Sequence, residues 1–139
     1  KRLAGFRETL AAHGVDLPDE YIKYVPVSRY GIEEQLRALF ELPEPPTGLF
    51  VPADDLAIRV IHRARELGVH TPRDISVIGF DGIDIAEHVD LTTICQSLLE
   101  SGKTAVDLLM ARLTAPNRPV QHIQYGVHLI ERGTTRALT

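Results

Sequence analysis

Apolar positions along the chain switch between a helical period and short continuous runs. Leu3, Phe6, Leu10 and Ala11 recur at helical spacing, and Gly14 follows as a C-terminal cap. Leu17-Pro18 breaks that pattern. Residues 21–27 are rich in β-branched and aromatic side chains and predict a short strand. Residues 31–41 return to helical period through Ile32, Leu36, Leu39 and Phe40, and Pro43-Glu44-Pro45-Pro46 ends the helix in a stiff turn. Gly48-Leu49-Phe50-Val51 is a brief apolar run of the kind buried in parallel sheets. Asp54 then stands at an N-cap position. Leu56, Ala57, Val60, Ile61, Ala64 and Leu67 line one face of the helix it opens, and Gly68 caps it. Residues 75–80 are the clearest buried strand, ended by Asp81-Gly82. Residues 91–95 predict another strand, 97–113 a helix, and 123–130 a last strand after a loop holding Pro116 and Pro119.

Strands separated by helical stretches of about a dozen residues predict βαβ units, hence an α/β fold with a parallel sheet and flanking helices. Ligands of such sheets bind beyond the carboxyl ends of the strands. Those ends are Val27, residues 51–55, residues 80–82 and Cys95-Gln96.

Composition narrows the class. A chain of 139 residues is one ordinary domain or one lobe of a larger protein, and it can bury roughly 70% of its unfolded surface. With one cysteine it forms no internal disulfide and needs none, which suits a reducing, cytoplasmic setting. Hydrophobic residues make up 44% and charged residues 24%, so wholesale disorder is not expected. No apolar run nears the roughly 20 residues of a membrane helix. A net charge of −4 argues against a basic nucleic-acid surface within these residues. The opening Lys1-Arg2-Leu3, without Met, suggests a piece of a longer protein, whose start could carry a leader that these residues do not show.

The recognisable catalytic signatures are missing: no G-x-x-x-x-G-K-[ST], no G-x-G-x-x-G, no G-x-S-x-G. Six scattered histidines give no metal-ligand spacing. No enzyme, metal or cofactor is therefore expected. Asp54-Asp55 read most simply as an N-cap and a first-turn acid that suits the helix dipole. Asp81 is either a turn-starting Asp bonded to its own backbone or a carboxylate at the mouth of the sheet. Acids after two successive strands are also the pattern of phosphoacceptor receiver domains. Those need a lysine after a later strand, and Thr92-Thr93-Ile94-Cys95-Gln96 has none.

Several segments, in order, resemble the lac repressor/galactose repressor family of bacterial transcription regulators. They are Arg2-Leu3-Ala4-Gly5-Phe6; Thr47-Gly48-Leu49-Phe50-Val51 running into Asp54; and Pro72-Arg73-Asp74-Ile75-Ser76-Val77-Ile78-Gly79-Phe80-Asp81. Then come Leu91-Thr92-Thr93-Ile94-Cys95-Gln96, Gly102 with Ala105, and Glu131-Arg132-Gly133-Thr134-Thr135. Each is weak alone; their order and spacing are specific.

The resemblance implies a periplasmic-binding-protein-like effector domain of two lobes. Residues 1–96 would be the second lobe, 97–126 a return to a first lobe mostly missing here, and 127–139 a crossing back. It implies a small-molecule effector, sugar or sugar-like, held between the lobes by Arg2, the region of Pro26, Ala53, Asp81 and Gln96. Ala53 and Pro26 stand where sugar-binding members carry a polar and an aromatic residue, and Tyr24 or Tyr30 could serve instead. It implies a homodimer with Ile58 and Ile61 at or near the contact, and operator DNA bound only through a domain absent from this chain. The alternative is a lobe of a periplasmic sugar-binding protein of a transport system. Leu98, Ala105, Leu108, Leu109 and Leu113 would face the absent lobe, so residues 97–126 are expected to self-associate, with fold-back and fraying as the other outcomes.

Overall fold

The computed structural model describes residues 1–25 and 31–137. Five helices are present among them: α1 (Arg2–Ala12), α2 (Ile32–Phe40), α3 (Asp54–Glu66), α4 (Asp84–His88) and α5 (Leu98–Thr114). Four strands, β1 (Gly48–Phe50), β2 (Ser76–Asp81), β3 (Thr93–Gln96) and β4 (Val127–Ile130), form one sheet in the order β1-β2-β3-β4. The first three run parallel, joined by α3 and by the short α4. β4 pairs antiparallel to β3, Thr93 opposite Ile130 and Gln96 opposite Val127, as an edge strand added to a parallel sheet.

The expected caps form. Gly14 donates to the Ala11 carbonyl and Val15 to that of Leu10, and Gly68 and Val69 repeat the pattern on Arg65 and Ala64. The core lies between the sheet and helices α2 and α3. Ile32 and Leu36 meet Ala57, Val60 and Ala64 over Val51, Ile75 and Val77, with Ala86 and Leu91 closing the end. Small residues at 57 and 64, both fully buried, let α3 lie close on β2.

Three expectations change. The strand over residues 21–27 is not present among the described residues 21–25. Tyr21 closes a single 3-10 turn, Asp19–Tyr21, and its hydroxyl donates to the Glu44 carbonyl at 2.8 Å. Val25 packs on the core, yet residues 22–25 join no strand. β-branched and aromatic content suits a strand but does not supply a ladder partner. Pro26, Val27 and Tyr30 lie outside the described residues. Second, Ala53, not Asp54, is the N-cap of α3. Asp54 is the first helical residue, and its carboxylate turns inward instead of capping. Third, the last strand begins at Val127, not Ile123.

α5 has the apolar side chains the sequence shows but buries none of them: Leu98, Leu99, Val106, Leu109, Met110 and Leu113 are all exposed. Its partners are local. Tyr125 meets Thr104 and the Glu100 carbonyl, and Arg112 donates to the Arg118 carbonyl. Beneath the sheet's other end, Thr134 is built into the strands. Its backbone carbonyl accepts from Val77 N, and its hydroxyl donates to the Val77 carbonyl and accepts from Thr92 N.

Candidate functional site

β2 and β3 run parallel and end together, so their last residues share one edge: Asp81 lies in register with Cys95, beside Gln96. The Gln96 side-chain amide donates to Asp81 Oδ1 at 2.6 Å. Arg2, at the start of α1, reaches the same oxygen at 3.4 Å through Nη2. Its Nη1 donates to the Pro52 carbonyl at 2.6 Å, and its guanidinium lies 3.9 Å over the Phe80 ring. Aromatic packing supports that placement. Phe6 stacks on Phe50 at 5.3 Å, and Phe50 meets Phe80 edge-on at 6.3 Å, so α1 is held across the ends of β1 and β2.

Arg2 is exposed yet bonded to Pro52 and Asp81, and the Asp81 side chain bonds Arg2 and Gln96, not its own backbone. The Arg2 and Asp81 side chains keep 42% and 27% of their surface exposed, enough for a solute to reach both. A guanidinium fork and a carboxylate side by side match a polyhydroxy compound: the acid accepts from hydroxyls and the fork donates to their oxygens.

Ala53 sits next to Pro52 at the same edge, in extended conformation with φ −164°, and contributes a methyl group only. Tyr24 is 77% exposed and lines a cavity of about 290 Å³ with Tyr21, Lys23, Leu36, Phe50 and Pro52. Arg2, Asp81 and Gln96 are thus joined by direct bonds, Ala53 is adjacent, and Pro26 falls outside the described residues. Ile58 and Ile61 lie on α3, both half-buried against the core. Among the described residues no group of His, Cys, Asp and Glu is placed to hold a metal ion.

The sequence reading missed one member. Asp54 is fully buried, and its Oδ2 accepts from Gly82 N at 2.7 Å and Ile83 N at 3.0 Å while Oδ1 accepts from Thr93 Oγ1 at 2.6 Å. Gly79 makes room: a Cβ there would run into Asp54 Oδ1 and stand 3.0 Å from Leu91 Cδ2. A glycine inside an apolar strand is the signal that could have pointed to a close approach.

A mainly parallel sheet with Arg2 and Asp81 converging beyond its carboxyl edge is the α/β arrangement in which open sheets meet their ligands. The chain belongs to the periplasmic binding protein-like domain family, whose model matches residues 1–135. It is 33% identical over 144 residues to the HTH-type transcriptional repressor CytR of Escherichia coli strain K12, across 99% of this chain and 41% of the repressor. It is 33% identical over 135 residues to the ribose operon repressor of the same strain, across 96% of this chain and 41% of that protein. A LacI family transcriptional regulator from Enterococcus faecium, solved with bound ribose, superposes with a TM-score of 0.84 at 30% identity, over 99% of this chain and 51% of that one. The chain thus spans about two fifths of these curated relatives, which are transcriptional repressors and not enzymes. They are of the family that the sequence motifs resemble.

Proposed function

We propose that this chain is the effector-sensing part of a DNA-binding transcription regulator and that its ligand is a sugar or sugar-like polyhydroxy molecule. The observation that carries the proposal is the convergence of Arg2 and Gln96 on Asp81 at the open edge of the sheet. The ribose bound by the Enterococcus relative supports that ligand class. Residues 1–96 form the second lobe, 97–126 return to the first, and 127–139 cross back. That division is supported by a core drawn from residues 32–91 and by an α5 that buries nothing. Ligand between the lobes shifts their relative orientation, and so operator affinity, by binding one orientation better than the other. DNA is read by a part of the protein outside this chain. α3, through Ile58 and Ile61, lies at or near the contact of a homodimer. The transport-protein alternative has less support, because the curated relatives described above are repressors.

The test is Asp81→Ala in the intact protein. Removing a charged hydrogen-bonding partner costs about 2–3 kcal/mol of ligand affinity, roughly 30- to 150-fold. Operator binding without ligand should stay intact. An effector response unchanged at the same concentration overturns the reading.

A further inference from the structure

Asp81 holds its place in a conformation that it does not adopt for free. Its φ is +132°, a region L-residues rarely occupy, and Gly82 follows at φ +73°. Such a backbone persists only where its surroundings over-determine it. Gln96 holds the side chain. The backbone on the far side of Asp81 is held by Asp54, whose single oxygen Oδ2 takes the amides of both Gly82 and Ile83.

Asp54 is unusual in its own right. A fully buried carboxylate needs donors or a favourable field in place of the water it loses. Here it has three donors and the amino end of α3, where the helix dipole favours a negative charge. One glycine gives it space, and a second lets the turn it holds lie close on β3. A Cβ at Gly79 would collide with its Oδ1, and one at Gly82 would fall 2.5 Å from Cys95 Sγ, pushing the turn off β3. Capping α3 would need none of this, since the N-cap position is already Ala53. The carboxylate instead ties three elements together: the start of α3, the turn after β2, and Thr93 of β3.

We propose that Asp54 is a positioning residue for the ligand-facing acid. By holding the amides of Gly82 and Ile83, its carboxylate sets the orientation in which Asp81 meets Gln96, Arg2 and the ligand. This rests on the reading of Asp81 as a ligand group. Asp54 itself is beyond the ligand's reach and acts through the turn alone.

Three variants of the intact protein test it. Asp54→Asn keeps an oxygen for the two turn amides and turns its NH2 toward Thr93 Oγ1, which can accept. Asp54→Leu keeps the branched shape but offers no acceptor. Thr134→Val is a control that weakens β2 at its opposite end. The first readout needs no ligand: exchange of the Gln96 side-chain amide protons, which the bond to Asp81 is expected to slow. The second is the affinity for D-ribose by calorimetry. In Asp54→Leu the Gln96 protons should exchange at least tenfold faster, and ribose affinity should fall at least tenfold. In Asp54→Asn both should stay within about threefold of wild type. In Thr134→Val the Gln96 protons should stay protected despite lower stability. If Asp54→Leu does not fold, Asp54→Ser replaces it, because its shorter hydroxyl cannot reach the turn and leaves room for water. A folded leucine or serine variant with wild-type Gln96 protection overturns the proposal, and so does an asparagine variant as impaired as leucine. A wild-type protein that ignores ribose counts against ribose as the ligand, and the Gln96 protons then decide the positioning role alone.

Discussion

Replacing Thr134 with valine preserves shape and removes one hydroxyl from the place where the chain's end is woven into the sheet. That hydroxyl donates to the Val77 carbonyl and accepts from Thr92 N, both at 2.8 Å, in a residue only 7% exposed. Valine leaves both backbone groups buried without a partner. Each costs about 1–3 kcal/mol, and the added methyl returns about 0.8 kcal/mol. The expected net loss is about 1–5 kcal/mol, a large part of the 5–15 kcal/mol typical of a whole domain. Urea unfolding followed by far-ultraviolet circular dichroism measures it as a shifted midpoint at unchanged slope. The neighbouring Thr135→Val is the comparison. Among the described residues its hydroxyl meets only Thr92 Oγ1, at 3.0 Å, in a half-buried setting, so its loss should stay below about 1 kcal/mol. A Thr134→Val loss under about 0.5 kcal/mol, or one matched by Thr135→Val, refutes the reasoning.

Ile58→Glu should convert a dimeric intact protein to monomers in sedimentation; a variant that stays dimeric removes α3 from the contact. Arg73 and the His70 amide hold the Asp74 carboxyl well below the usual carboxylate range. A depressed folded-state pKa gives stability that is present above the unfolded value and is lost as pH falls, so Asp74→Asn should flatten the stability loss below about pH 4; an unchanged acid limb contradicts this. The 139-residue chain alone should self-associate through α5, where burying each exposed leucine is worth roughly 1.5–3 kcal/mol. Light scattering at rising concentration reads it, and a monomer at high concentration, whether Leu108 and Leu109 amides exchange slowly or fast, defeats it.

The helices of two turns or more were legible through their apolar period, α1 and α5 included although neither buries a residue within this chain. α2 and α3 announce themselves through Leu36, Leu39, Val60 and Ala64, and β2 through the run Val77-Ile78-Gly79-Phe80. Residues 21–25 mislead because β-branched and aromatic content suits a strand without supplying the neighbour it must pair with; Tyr24 is 77% exposed. α4 escaped notice because five residues are less than two helical turns, too short for a period to show. The sense of β4 has no local signature either: an antiparallel edge strand and a parallel one carry the same alternation.

The site divides along the same line. Asp81 and Gln96 were legible because strand ends in a parallel sheet share an edge, which follows from the strand pattern alone. That Arg2 lies over Phe80 was not, since it depends on three phenylalanines stacking across 75 residues of chain, a tertiary event no local window contains. Asp54 was misread for a more instructive reason. An Asp that starts a helix satisfies the capping preference so well that the local account looks complete. Only the buried glycine opposite it, Gly79, fails to fit that account, because a capping carboxylate lies outside the helix end and asks for no missing Cβ on a neighbouring strand. A residue explained by its own helix and an unexplained glycine one strand away are, read together, the trace of a single contact.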